Sequence, residues 1–365
     1  MGKNELLDLA SIIGIDFNAK NRFLLSELNM QGRAATSGKN RLLFFSGATL
    51  DFDEHQADFL GTKVWMRKLT DHELGYFTEI NCRNGDPVPE FVMDCFVPTP
   101  IPESHATPIL IIMLQLARRW SLNLVGIGTE THKGTNAVHS DLQRVEKGVL
   151  VPLYPTIVLT RGAVDEMAGL FAMTRAMKGA TGGDSSSSLF LENARASYLH
   201  YFKAVLSAGS PEQTIFEVMV GMDSLFEFKG DQNRLSMEDR VAKLMTLLSI
   251  DAKRVIKLLD TAYKVRNSYA HGNPPSHERR ASIASSFGDI RAFAGIVANV
   301  LRVSLLFCFT TILSGASGKK RNMISLLDGG DEGGVLRGIA EKLRPFCLSL
   351  CKSSADAVFR SRKTV

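Results

Sequence analysis

The chain predicts an α+β protein, with a mixed α/β N-terminal half and an all-helical C-terminal half. Three observations carry this. Strand-like apolar runs occur only before residue 180, a glycine- and serine-rich stretch follows, and every later apolar pattern has helical spacing. At 365 residues the chain is long enough for two domains with proper cores.

In the first half, Arg41 to Leu50 (RLLFFSGATL) and Glu90 to Val97 (EFVMDCFV) are rich in aliphatic and aromatic residues and predict strands. Leu122 to Ile127 and Val149 to Leu159 predict two more, with Pro152 and Pro155 confining the last to an edge or a loop. Pro108 to Trp120 and Ala163 to Met177 read as helices. The stretch Lys178 to Ser188 has no apolar periodicity and reads as a loop or linker. The expected division is a mixed domain over 1–180, a linker over 181–188, a helical domain over 189–345 and a basic tail over 346–365.

Beyond the linker the helix signals are local and strong. Ser210-Pro211-Glu212-Gln213 places serine at N-cap, proline at N1 and glutamine at N3. The set Ile215, Val218, Met219, Met222, Leu225 and Phe226 follows at helical spacing. Ser236 with Asp239 opens a second helix, whose stripe is Val241, Leu244, Met245 and Leu248. Asp251 caps a third, with Val255, Leu258, Leu259, Ala262 and Tyr263 on its inner face, and Gly272 with Pro274-Pro275 ends it. A fourth runs from about Ser286 to Leu313.

Composition narrows the class. Hydrophobic residues at 45% and charged residues at 22% are ordinary for a soluble globular protein. From Gly315 onward ten basic residues face five acidic ones, which accounts for the whole net charge of +5. Such a tail can approach phosphates, and a solvated terminal face explains it equally well. The five cysteines (Cys82, Cys95, Cys308, Cys347, Cys351) are odd in number and scattered, which fits a reducing cytosol rather than a disulfide framework. Cys347 and Cys351 stand four apart with no second ligand pair, so buried thiols are expected. Met1 to Asp16 is charged throughout and lacks a signal-peptide cleavage site. Phe293 to Leu313 is long enough for a membrane span, but Asn299 and Arg302 in its middle predict a buried helix instead. No membrane association is expected, and the expected location is cytoplasmic.

Several weaker patterns fail on spacing. Gly126-Ile127-Gly128 lacks the third glycine of a dinucleotide loop, and Gly32 to Asn40 has one residue too many for a P-loop. Glu130, His132 and His139 read as loosely spaced loop residues rather than a metal set. Trp65 and Trp120 read as packed aromatics.

The third helix ends unusually. Its apolar stripe leads directly onto Arg266, and Asn267 and His271 stand four apart on one side of the last turn. A guanidinium, an amide and an imidazole are thereby gathered within about one and a half turns, where the carboxyl end of the helix favours a protonated imidazole. The bland alternative is a histidine bonded to the last carbonyls and an arginine snorkelling to solvent.

The segment RNSYAH, Arg266 to His271, fits the R-N-x-x-x-H form of the motif of HEPN domains, and its surroundings resemble the ApeA-like branch. The branch's earlier acidic helix is matched by Gly221-Met222-Asp223-Ser224-Leu225, with aspartate where the family usually has glutamate. Its "R-x-A-x-L-L" helix is matched by Arg240 to Met245, and its "Y-x-x-R-N-x-x-x-H-G" segment by Tyr263, Arg266, Asn267, His271 and Gly272. The likeness covers about 60 residues in order and spacing, and about 150 with the flanking helices.

This resemblance implies an all-α HEPN bundle that cleaves RNA without a metal or other cofactor. Two protomers of a homodimer would form one composite cleft. The RNA 2′-OH would attack the adjacent phosphorus and leave a 2′,3′-cyclic phosphate. His271 would serve as acid and base, Arg266 would clamp the transition state, and Asn267 would orient the histidine or donate to phosphate. Asp223 would hold Arg266, supported by Tyr263. The biological setting implied is bacterial antiphage or stress defence, with tRNA, mRNA or rRNA as substrate and an activating ligand or protein at the N-terminal domain. Asn273 stands where the toxins paired with nucleotidyltransferase antitoxins carry a tyrosine. Two rival expectations stay open: a non-catalytic module that binds RNA or nucleotide or dimerises, and a function carried by the N-terminal half.

Overall fold

Leu42, Leu43, Phe44 and Phe45 are a continuous apolar run, a pattern that belongs to a strand covered on both faces. In the computed structural model all four are buried, and their strand is central. The structure describes residues 38–59, 62–84, 88–98, 114–118, 120–133, 136–144, 152–181, 188–206, 209–227, 236–313, 320–329 and 334–349. They divide into two units. The first comprises the described residues within Met1–Gln115, Trp120–Leu150 and Pro155–Ala172. The second comprises those within Leu116–Arg119, Val151–Tyr154 and Met173–Val365. The architecture is α+β.

The first unit holds, in chain order, β1 (Gly38–Ser46), β2 (Ala48–Leu50), β3 (Glu54–Phe59), β4 (Thr62–Arg67), α1 (Asp71–Asn84), β5 (Phe91–Pro98), β6 (Asn123–Lys133), β7 (Asn136–Arg144), β8 (Ile157–Leu159) and the start of α2 (Arg161–Thr181). Six strands form an antiparallel sheet in the order β3-β4-β5-β1-β6-β7. β2 pairs in parallel with β8. Phe45 lies opposite Phe91, their rings stacked at 5.4 Å. On the other face Leu42, Phe44, Val92 and Val125 pack on Phe77 of α1. Gly47, at φ +98°, separates β1 from β2, and a Cβ there would sit 2.4 Å from the Ser121 carbonyl oxygen.

Helix α1 starts at a reciprocal cap. The Glu73 N–H donates to Thr70 Oγ1 (3.3 Å), and the Thr70 N–H donates to Glu73 Oε2 (2.8 Å). Arg67, at the end of β4, adds two bonds of 2.8 Å to the same buried carboxylate. Burial opposes its ionisation, but the Arg67 bonds and the Thr70 amide outweigh that and hold Glu73 below its ordinary value.

The second unit continues from α2 into α3 (Ser188–Leu206), α4 (Pro211–Phe226), α5 (Met237–Leu247), α6 (Ala252–Ala270), α7 (His277–Phe287), α8 (Ile290–Leu313), α9 (Lys320–Gly329) and α10 (Val335–Ser349). Ser210, Ser236 and Asp251 are the N-caps that the local sequence predicts. α8 has the length and apolarity of a membrane span, and its most apolar window is 94% buried inside the fold. It packs against α3, α4, α6, α7 and α10. α4 lies between α3 and α6. Its Gly221 faces Ser197, His200 and Leu301, and an added Cβ would lie 3.2 Å from the Ser197 carbonyl oxygen. Arg240 of α5 is buried, donating to both carboxylate oxygens of Asp328 at 2.8 Å and to the carbonyl of Phe226. It thus joins α5 to α9 and to the end of α4.

The structure corrects several sequence expectations. Lys178 to Thr181 and Ser188, expected in a linker, are helical, and 182–187 lie outside the described residues. The division between units falls inside α2, at Ala172/Met173. Of the helix expected over Pro108 to Trp120, only Leu114–Ala117 is helical among the described residues, and 108–113 lie outside them. Trp120 follows that turn, buried, its Nε1 donating to the Leu114 carbonyl at 3.0 Å. The strand expected over Val149 to Leu159 is confined to Ile157–Leu159, and 145–151 lie outside the described residues. Glu130, His132 and His139 stand on β6 and β7 rather than in loops, with Glu130 opposite His139. Gly126 and Gly128 are also strand residues, paired with Phe44 and Leu42. Gly38 to Asn40 are in β1, while 32–37 lie outside the described residues. The fourth helix begins at Ile290, because Gly288 at φ +89° separates it from α7. Residues 346–349 are helical, and the remainder of the expected tail lies outside the described residues.

Two outcomes follow. Because the Glu73 carboxyl is held below its ordinary 4.5, its ion pair stabilises the protein above that pH and is lost as the pH falls through the lowered value. Urea titrations should show wild-type stability dropping below pH 4.5, with Glu73→Gln already less stable at neutrality and less pH-dependent there. Arg240→Ala leaves the Asp328 carboxylate and the Phe226 carbonyl without their guanidinium and should cost about 3 kcal/mol in chemical denaturation.

Candidate functional site at the end of helix α6

Helix α6 ends in a tight cap that sets the position of the motif. The Asn273 N–H donates to the Ser268 carbonyl and the Gly272 N–H to the Tyr269 carbonyl, both at 2.9 Å. With Gly272 at φ +72°, this is a Schellman cap whose last half-helical residue is His271. Glycine satisfies the left-handed position at no steric cost, and Pro274 follows where the helix cannot continue. His271 therefore stands at the rim, exposed to solvent. Its ring makes no hydrogen bond to a described residue, so it is not bonded to the last carbonyls as in the bland alternative.

Arg266 lies one turn back, at the border of the buried face. Its Nη1 donates to Asn267 Oδ1 at 3.2 Å, and its Nη2 stands 3.5 Å from Asp223 Oδ2 on α4. The guanidinium also lies 5.7 Å from the ring centroid of Tyr263, one turn before it. The Nε of Arg266 is buried with no hydrogen-bond partner among the described residues. Using Oδ1 toward Arg266 leaves the amide of Asn267 to donate outward. Among the predicted site residues, Arg266, Asn267, Asp223 and Tyr263 are thus brought into one cluster. His271 is on the same helix as Arg266, Asn267 and Tyr263; its backbone N–H donates to the Asn267 carbonyl at 3.2 Å, but its ring makes no bond with the cluster's side chains among the described residues.

Helix α4 positions this cluster. Its Phe216 packs its ring 5.6 Å from that of Tyr269, and Asp223, two turns further on, meets Arg266. The order of contacts is reversed along the two helices, so α4 and α6 run in opposite directions where they meet. The aspartate reaches Arg266 by charge rather than by a short bond, since charge-assisted bonds lie near 2.8 Å.

Sequence reasoning missed the contribution of α7. Arg279 Nη1 donates to Ser268 Oγ at 2.9 Å and to the Lys264 carbonyl at 3.3 Å, bracing the last turns of α6. Arg280 pairs with Glu212 of α4 at 3.1 Å. The only local signal was the N-cap Ser276, which sets where α7 starts but not what its arginines touch. His277 of the same turn is exposed.

No group of three or more histidine, cysteine or acidic side chains with metal-holding geometry occurs among the described residues. A separate cavity of about 530 Å³ in the first unit is lined by Asp51, Phe52, Asp53, Thr160, Arg161 and Gly162. It mixes acids with one arginine and holds no nucleophile with an adjacent base. What the α6 cluster offers is a cation with unspent donors, an outward amide and an accessible imidazole along one ridge, a set suited to an anionic oxygen ligand.

The Asp223–Arg266 pair is about a quarter exposed and longer than a direct bond, so Asp223→Ala should cost no more than about 1 kcal/mol in urea denaturation. A loss above twice that would make Asp223 a structural anchor of α4 on α6. The chain matches no family model, no curated protein sequence and no solved structure.

Proposed function

We propose that the end of α6 is a HEPN-type ribonuclease site, working without metal through attack of the RNA 2′-OH on the adjacent phosphorus. The observation that carries this reading is the state of Arg266. Its guanidinium is oriented by Asp223 and Asn267, its side chain is about a quarter exposed, and His271 stands exposed about one and a half turns further on. A planar, oriented guanidinium with unused donors matches two oxygens of a phosphorane. In the reaction His271 takes the 2′-OH proton, the 2′ oxygen bonds to phosphorus, and the bond to the 5′ oxygen breaks. The leaving oxygen takes a proton, from His271 of the partner subunit or from water, giving a 2′,3′-cyclic phosphate and a 5′-OH.

One surface feature supports a homodimer. Ile256, Tyr263 and Ala270 recur at intervals of seven along α6 and are all exposed, with Ile256 at 39% and Tyr263 at 42%. The three lie in one row along the helix, and a second copy packed there would cover them. Packing there would bring two copies of Arg266 and His271 to one cleft. Bacterial defence as the setting rests on the resemblance of the RNSYAH segment and its flanking helices alone.

The second reading, a non-catalytic RNA- or nucleotide-binding module, is favoured by one observation: no described residue orients the His271 ring. The two separate in a cleavage assay on purified protein in EDTA, with total tRNA and a long transcript, wild type beside His271→Ala. The ribonuclease should cut and leave 2′,3′-cyclic ends, and the variant should be at least 100-fold slower. Equal RNA binding by both proteins, with no cleavage even in infected-cell lysate, would establish the module.

A further inference from the structure

The chain returns past the motif, across Gly272 to Ser276, and sets a second arginine against the same helix. We propose that Arg279 is a phosphate ligand of this site, holding an RNA backbone phosphate on the opposite side of His271 from Arg266. The inference rests on the RNA-directed reading of the site given above.

Helical geometry supplies the placement. At 100° per residue, Arg266 and Ser268 lie on opposite sides of Asn267, and His271 falls 40° from Asn267 toward Ser268. Asn267 and His271 thus form a crest, with Arg266 on one flank. Arg279 is bonded through Nη1 to Ser268 Oγ and the Lys264 carbonyl, which places its guanidinium on the other flank. A strand laid across the crest meets one guanidinium on either side of the imidazole.

The bonding pattern separates this arginine from a simple brace. Bracing uses Nη1 alone. Nε and Nη2, with three N–H groups, have no partner among the described residues, and neither is a buried atom lacking a partner. They face water. The charges nearby differ in the same way. Of the lysines and arginines in the last two turns of α6 and the first turn of α7, Lys264 pairs with Asp260, Arg266 with Asp223 and Arg280 with Glu212. Arg279 has no carboxylate partner among the described residues. A guanidinium already fixed at one nitrogen has lost much of its rotamer freedom before a ligand arrives, so less is lost on binding phosphate. Two flanking cations also impose a strand direction across the histidine, which one cation alone does not.

The test uses the full chain and a 20-nucleotide single-stranded oligonucleotide, fully 2′-O-methylated so that it cannot be cleaved, with affinity followed by fluorescence anisotropy over a salt series. Arg279→Ala should weaken binding about 10-fold and make the plot of log K against log salt shallower by about 0.7, the value for one phosphate contact to a single strand. Arg279→Lys should keep the wild-type slope with a smaller loss. Ser268→Ala, which keeps the charge but removes one brace, should keep the slope and lose about 2- to 5-fold. Wild-type affinity and slope in Arg279→Ala would overturn the proposal and leave RNA recognition by Arg266 and His271 standing. An unchanged slope with a lowered thermal midpoint in both Arg279 variants would reduce the residue to a brace and also overturn it. If wild type itself does not bind the oligonucleotide, the RNA reading fails, and this proposal with it.

Discussion

The helical unit depends on burying α8, whose residues 293–311 are covered on all sides, because a helix with no polar face is stable in water only inside a ring of others. That requirement brings α3, α4, α6, α7 and α10 to it. It also encloses a costly group. Arg302 is fully buried, its Nε bonded to Asn299 Oδ1 at 2.8 Å and its Nη1 to the Leu116 carbonyl at 2.6 Å, with Nη2 unpartnered among the described residues. A buried cation persists only with such bonds. Here one of them ties Leu116 to the helical unit, to which it belongs despite its place in the chain.

The candidate site is a consequence of the same packing, one layer out. α4 touches α8 with one side and α6 with another, and Gly221 removes the side chain that would hold it off α3 and α8. Close approach on one side leaves Glu212, Phe216 and Asp223 to face the neighbours on the other. Each finds a partner: Arg280, Tyr269 and Arg266. The ion pairs are partly exposed and contribute little stability, so they act chiefly on orientation. An arginine held by a 3.5 Å charge contact and one neutral amide at a partly exposed edge retains donors for a ligand, whereas Arg240, buried and bonded to Asp328 and Phe226, does not. Two arginines on adjacent helices thus have opposite uses: one closes the core and the other stays open at its edge.

How much was legible follows the range of the interactions. Helix ends at Ser210, Ser236, Asp251 and Gly272 are legible, because a cap is made by residues two to four apart and carries its own signature. The same logic applies to Thr70-Asp71-His72-Glu73, whose capping box opens α1 and was overlooked. The hairpin β3–β4 gave almost no signal. EHQADF buries only Ala57 and Phe59, and its pairing depends on β5 at the other side of β4. The start of α3 carries little local signal, because its N-terminal turn follows a glycine- and serine-rich stretch that looks like linker, and its partners α4 and α8 come later in the chain. In the site, Arg266, Asn267 and His271 were legible as a spacing on one helix.

The sequence by itself determined the α+β division, the caps, the inner stripes of α4 and α5 and that of α6 except for Tyr263, which is exposed rather than inward-facing, and the gathering of an arginine, an amide and a histidine at one helix end. Each depends on backbone geometry over a few residues, which the chain carries locally. Only the tertiary structure decided which carboxylate faces Arg266, which arginine is closed into the core by Asp328, and that Arg279 returns across the turn to Ser268 and Lys264 of α6. Those are contacts between helices. They are set by the depth to which Gly221 lets α4 settle and by the burial of α8, quantities that depend on the whole bundle rather than on any one segment of it.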